Sequence, residues 1–199
     1  MRSLTGSNLV VAFAAALLQA GGALGHGRVT SPTPRAYGNA ALAACGNAVL
    51  TTLKSDLTGP IENSVKKIDS AYNATACHLY FCKGAQWEDN TSNTRVYKPG
   101  SSVEFLFDLV AHHTGTANVS IVDVTTQKTI GSPVFYWPVY ANDSLGPPDW
   151  PANQTDFKIT IPTTLGSQCT TKGKCAIQFW WWAYSNGQTY ENCVDFTTV

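Results

Sequence analysis

Charge is scarce in this chain. Asp, Glu, Lys and Arg make up 13% of its 199 residues, and 13 acidic side chains balance 13 basic ones. A formal net charge of zero gives no basic footprint for nucleic acid or an anionic membrane, so neither is expected as a partner. Long apolar runs are also few. Leu9–Ala20 (LVVAFAAALLQA) is shorter than the ~20 residues a spanning helix needs, and no second run follows. There is no internal repeat, no charge block and no low-complexity linker. No pair of carboxylates and no Ser/His/Asp arrangement stands out, which argues against a hydrolase.

What the N-terminus does hold is a processing pattern. Arg2 gives a short positive start, Leu9–Ala20 an apolar stretch, and Ala23 and Gly25 the small residues at −3 and −1 of a cleavage site. That is the arrangement of a secretory signal peptide over residues 1–25. Cleavage after Gly25 leaves residues 26–199 as one domain of ordinary size. A secreted, extracellular and monomeric protein is expected. With so few charges, its surface would be polar through Ser, Thr, Asn and Gln, which suits an uncharged partner such as a glycan.

Six cysteines follow the cleavage point: Cys45, Cys77, Cys82, Cys169, Cys175 and Cys193. An even number in a secreted chain reads as three disulfides. Sequence alone allows fifteen connectivities; the pairing expected is Cys77–Cys82, Cys169–Cys175, which closes the turn QCTTKGKC, and Cys45–Cys193. A zinc site through Cys77, His78 and Cys82 would need a second ligand pair at finger spacing, and none exists. Sequons at Asn73, Asn90, Asn118, Asn142 and Asn153 are candidate glycosylation sites.

The second half reads as β. In 102–110 (SVEFLFDLV), Val103, Phe105, Phe107 and Leu109 share one face. Segments 117–124, 157–161, 175–183 and 193–199 look similar, with Gly and Pro clusters between them. The spacing predicts an all-β fold, an immunoglobulin/fibronectin-III-like antiparallel β-sandwich. The stretch from Arg35 to Tyr97 has weak periodicity and reads as a long, partly helical insertion, with a short helix within 57–69. In the run Trp180-Trp181-Trp182, alternation places Trp181 opposite its neighbours. Core packing is the preferred reading over a chain of oxidisable rings through Tyr184 and Tyr190. Tyr37, Trp87, Tyr136, Trp137 and Trp150 are candidates for stacking on sugar rings.

The histidines carry the chemistry. Processing makes His26 the first residue. Its α-amine and ring Nδ1 can then chelate one metal ion, and the amine's ordinary pKa of about 7.7–8.0 lets it lose a proton to a competing metal. A third nitrogen would complete a tetragonal set that favours Cu(II) over zinc or magnesium. His112 and His113 lie between a predicted strand and a turn, where sandwich proteins carry function.

The segment His26-Gly27-x-Val29-x-Ser31-Pro32-x-x-Arg35 resembles the mature N-terminus of lytic polysaccharide monooxygenases, the chitin-binding type-4 and starch-active groups in particular. The resemblance implies one copper held in a histidine brace by His26 and a second histidine. His113-Thr114-Gly115 matches the family's His-x-Gly context, with His112 as the alternative ligand. Tyr190 matches the axial aromatic, three residues before Cys193, and Gln188 matches the Gln of the Q-x-Tyr pattern beside the oxygen-binding face. Position 28, often aromatic in this group, is Arg28. No acidic residue near these positions stands out as a partner for the site, and alternation turns Glu191 away from Tyr190.

The implied activity is oxidative cleavage of glycosidic bonds in an insoluble polysaccharide (chitin, cellulose or starch). O2 or H2O2 would be the co-substrate and an external donor would supply electrons. The competing readings are a non-catalytic copper-binding protein and a non-catalytic chitin- or glucan-binding module. The second would have no use for a free amine on His26.

Overall fold

The computed structural model describes residues 26–199. The signal-peptide assignment to residues 1–25 therefore lies outside the described residues. Among the described residues, nine strands form two sheets. The smaller is three-stranded, in the order β1 (His26–Ser31), β3 (Ser102–Ala111), β7 (Asp156–Thr160). The larger runs β2 (Arg95–Tyr97), β9 (Gln188–Thr198), β8 (Cys175–Ala183), β4 (Gly115–Asp123), β5 (Lys128–Thr129), and β6 (Phe135–Tyr140) also pairs with β4. All pairings are antiparallel except β2 with β9. This is the immunoglobulin-like β-sandwich with a partly helical insertion that the strand periodicity predicts.

Alternation explains the core. On β3, Val103, Phe105 and Phe107 are buried while the residues between them are exposed. They pack against Phe157 and Ile159 of β7 and, across the sandwich, Val119, Ile121, Ile177, Phe179 and Trp181. Trp181 is fully buried, with Trp180 and Trp182 on the other face of β8. Trp137 is also in this core rather than at the surface, where the sequence suggested it could meet sugars. Tyr37 is likewise tied down, its hydroxyl donating to the Lys83 carbonyl. Tyr136 and Trp150 are exposed.

The insertion covers the outer face of β9. It contains α1 (Asn39–Ser55), bent at Gly46 where φ is +76°, and α2 (Ile61–Val65). The latter falls inside the 57–69 stretch; the former was not foreseen. Because both faces of β9 are covered, even Glu191 and Asp195 are buried. Asp195 pairs with Arg35 through two hydrogen bonds of 2.7 and 2.8 Å, and Arg35 Nη1 also donates to the Ala85 carbonyl. The arginine of the N-terminal motif thus anchors the chain leaving β1 onto β9.

The disulfides correct the expected pairing. Cys45 joins Cys77 and Cys82 joins Cys193; neither Cys45–Cys193 nor Cys77–Cys82 forms. Cys77 faces the apolar cluster under α1 with Val49, Leu53 and Ile61, while Cys82 packs toward Val122, Ala176 and Cys193 on the sandwich. Five residues apart in sequence, the two point into different cores. Cys169 pairs with Cys175. The Asn90 side chain is buried, donates to the Ala36 and Gln86 carbonyls and accepts from Ala36 N–H.

Candidate metal centre

The sheet register sets His26 against the end of β3, where the histidine turn begins. His26 on β1 lies opposite Ala111 at the end of β3. The chain then turns through His112, His113 and Thr114 before β4 begins at Gly115. Thr114 holds this turn. Its hydroxyl donates to Asp143 Oδ1 at 2.7 Å, and its carbonyl accepts Ser185 N–H at 3.1 Å. The Thr114 bond holds the Asp143 carboxyl below its ordinary pKa.

The two neighbours in the turn differ. His112 stacks on Trp150, with ring centroids 3.8 Å apart and an interplanar angle of 15°. Burial, and then the charge of His113, lowers its pKa. His113 instead has a buried Nε2 with no hydrogen-bond partner among the described residues. A buried imidazole nitrogen is normally satisfied, so an orphan asks for an explanation. A metal ligand is one.

His26 has a carboxylate partner that the sequence did not reveal. Its Nε2 lies 3.0 Å from Asp56 Oδ2. Asp56 sits 30 residues away, between α1 and α2. Burial alone would raise the pKa of Asp56, but the Thr58 hydroxyl and His26 outweigh it and the net effect is a lowering. Imidazoles that bind metal commonly give their other ring N–H to a carboxylate.

Tyr190 lies opposite Trp181 on β8, with the rings stacked at 4.3 Å. Its hydroxyl donates to Gln188 Oε1 at 2.6 Å, and Asn186 Nδ2 donates to the same oxygen at 2.6 Å. Burial, with the charges of Glu62 and Asp56, raises the phenol pKa well above its usual value. Asn192, two residues on, accepts Val29 N–H at 2.8 Å and ties β9 to β1. The other face of β9 is separate. Thr189 N–H donates to Glu62 at 2.9 Å, and Glu191 accepts from Lys83 N–H at 3.2 Å. Burial pushes the Glu191 carboxyl up to about 8.

The donor set suits copper by its chemistry. The His26 amine and Nδ1, together with His113 Nε2, would give three nitrogens, the pattern that favours Cu(II). No group of three or more His, Cys, Asp or Glu side chains suited to a metal occurs among the described residues. A site of two imidazoles and one amine would not form such a group.

A family model described as "lytic polysaccharide mono-oxygenase, cellulose-degrading" matches residues 26–196. No curated protein matches the chain. Similar solved structures include a chitin binding domain from Burkholderia pseudomallei, at 10% identity and a TM-score of 0.44, covering 88% of this chain and 100% of that one. Another is the cellulose-active lytic polysaccharide mono-oxygenase CelS2 in complex with copper, at 14% identity and a TM-score of 0.42, covering 86% of this chain and 98% of that one. The family match begins at His26 and reaches into β9, and the chain belongs to the lytic polysaccharide mono-oxygenase, cellulose-degrading family.

Proposed function

We propose that residues 26–199 form a secreted, copper-dependent lytic polysaccharide monooxygenase that oxidatively cleaves glycosidic bonds in an insoluble polysaccharide. Residues 1–25 act as its signal peptide, and their removal exposes the His26 amine. One observation supports the reading: His113 Nε2 is buried without a partner among the described residues, on the turn that follows Ala111, the register partner of His26. Bound copper would supply one-electron chemistry with O2 or H2O2 and the oxidising power to attack a C–H bond at the glycosidic carbon.

The chain's residues would divide the remaining work. His26 and His113 hold the ion. Tyr190, buried and stacked on Trp181, would set an aromatic ring beside the ion. Gln188 is oriented by the two donors on its Oε1, which turn its amide N–H2 toward other acceptors. That amide can donate a hydrogen bond to an oxygen co-substrate. An external donor supplies the electrons.

The test is mass spectrometry of soluble products. The protein, with a verified His26 start, is loaded with copper and incubated with a reductant and cellulose, chitin or starch. The family description makes cellulose the first polymer to try. Oxidised oligosaccharides, absent with His113→Ala, support the reading. Tight copper binding with no oxidised product from any polymer overturns it in favour of a copper-binding protein.

A further inference from the structure

A short strap, residues 56–60, passes beside His26 and is held at every peptide. Thr58 Oγ1 donates to Asp56 Oδ1 at 2.9 Å. The Thr58 carbonyl accepts the N–H of Gly27 at 2.9 Å, which ties the strap to β1 next to His26. From the other side the buried Lys83 donates its ammonium to the carbonyls of Leu57 and Gly59. Lys83 is itself fixed. It has a left-handed φ of +54°, follows the Cys82–Cys193 disulfide, and gives its N–H to Glu191. Gly59 leaves room for the carboxylate, because a Cβ there would lie 2.3 Å from Asp56 Oδ2. Together these contacts fix the position of one carboxylate at the solvent edge.

We infer that Asp56 is a positioning residue: it fixes the His26 ring as the Nε2–H tautomer and so presents Nδ1, on the same side as the chain's terminal amine, to the metal. This rests on the proposed copper site. The argument is one of donor count. An ionised carboxylate can only accept, so the nitrogen 3.0 Å from it must carry the proton. The lone pair is then left on Nδ1. Only Nδ1 can close a chelate ring with the amine of the same residue. The strap also restrains the carboxylate, since Asp56 cannot move without breaking its hydrogen bond from Thr58.

The experiment uses the mature protein with its N-terminus verified. Long-range 15N–1H NMR of the metal-free form reads the His26 tautomer directly. Copper titration and Cu(II) EPR then compare wild type, Asp56→Ala and Asp56→Asn. The expected result is an Nε2–H ring in wild type, and about 10–100-fold weaker copper binding with altered hyperfine splitting in Asp56→Ala. Asp56→Asn, whose carbonyl still accepts, restores most of the affinity. A Nδ1–H ring in wild type, or a folded Asp56→Ala with unchanged affinity and spectrum, overturns the inference. A purely structural Asp56 would lower the melting temperature and leave the spectrum alone. Tight copper binding without polysaccharide oxidation would overturn the proposed activity and leave this role standing. Failure of wild type to bind copper would overturn both.

Discussion

Gly115 runs so close to β8 that a Cβ on it would lie 2.1 Å from the Trp182 carbonyl oxygen and 2.7 Å from Trp181 Nε1. Both are held, one by backbone and one by a fully buried indole. This gives a physical reason for glycine two residues after His113: the turn must dive against β8 at once. Gly115→Ala is expected to destabilise by at least the ~1–3 kcal/mol typical of overpacking. It should also shift the His113 turn. Chemical denaturation measures the first and copper titration the second; a variant with wild-type values in both would show that the sheet yields easily.

The two histidines of the turn should separate cleanly on substitution. His113→Ala is expected to weaken copper binding by more than the ~10–100-fold that loss of an outer partner costs. His112→Ala removes a ring stacked on Trp150 and should leave affinity within a few-fold of wild type. Calorimetric titration of both variants decides. If His112→Ala lost the metal and His113→Ala kept it, the ligand assignment would be reversed.

Asp89 caps α1 from a distant segment. Its carboxylate accepts N–H groups from Gly38, Ala40 and Ala41, each at 2.9 Å, and so caps α1 from 48 to 51 residues downstream. Burial raises its pKa, but the three N–H bonds outweigh that, and the net shift is downward from 3.8. A lowered carboxyl contributes stability above its unfolded pKa and loses it as the pH falls through the folded value. Asp89→Ala should therefore cost about 2 kcal/mol at neutral pH. The gap to wild type should shrink below about pH 4. Urea unfolding at pH 7 and in the acid range checks this; a gap independent of pH would mean that the side chain acts by packing.

The same cap shows what was legible in the sequence. The strands could be read because Val103, Phe105 and Phe107 obey a local rule, alternation, that one sheet face enforces. The helix α1 could not, because its N-cap is Gly38 with no side-chain bond of its own, and Asp89 arrives from another segment. Gly46 also breaks its period. His26 was conspicuous beside a cleavage pattern, and its partner Asp56 was not, since nothing local links them. Cysteine spacing misled for a related reason. Cys77 and Cys82 are neighbours in the chain but belong to different clusters, so packing and not proximity chose their partners.

The disulfides give the last prediction. Cys82–Cys193 spans 111 residues and Cys169–Cys175 spans 6. Loop-closure entropy then assigns roughly 4–5 kcal/mol to the first and about 2 kcal/mol to the second. Stability is not the whole difference. Cys82 precedes Lys83, whose ammonium holds the strap bearing Asp56, while Cys169–Cys175 closes the entry to β8. Replacing Cys82 and Cys193 by alanine should therefore weaken copper binding as well as folding, and should blur the His26 tautomer. Replacing Cys169 and Cys175 should lower only the denaturation midpoint. Equal copper affinity in two folded variants would mean that Lys83 holds the strap without help from the disulfide, because its bonds to Glu191, Leu57 and Gly59 would survive the cut.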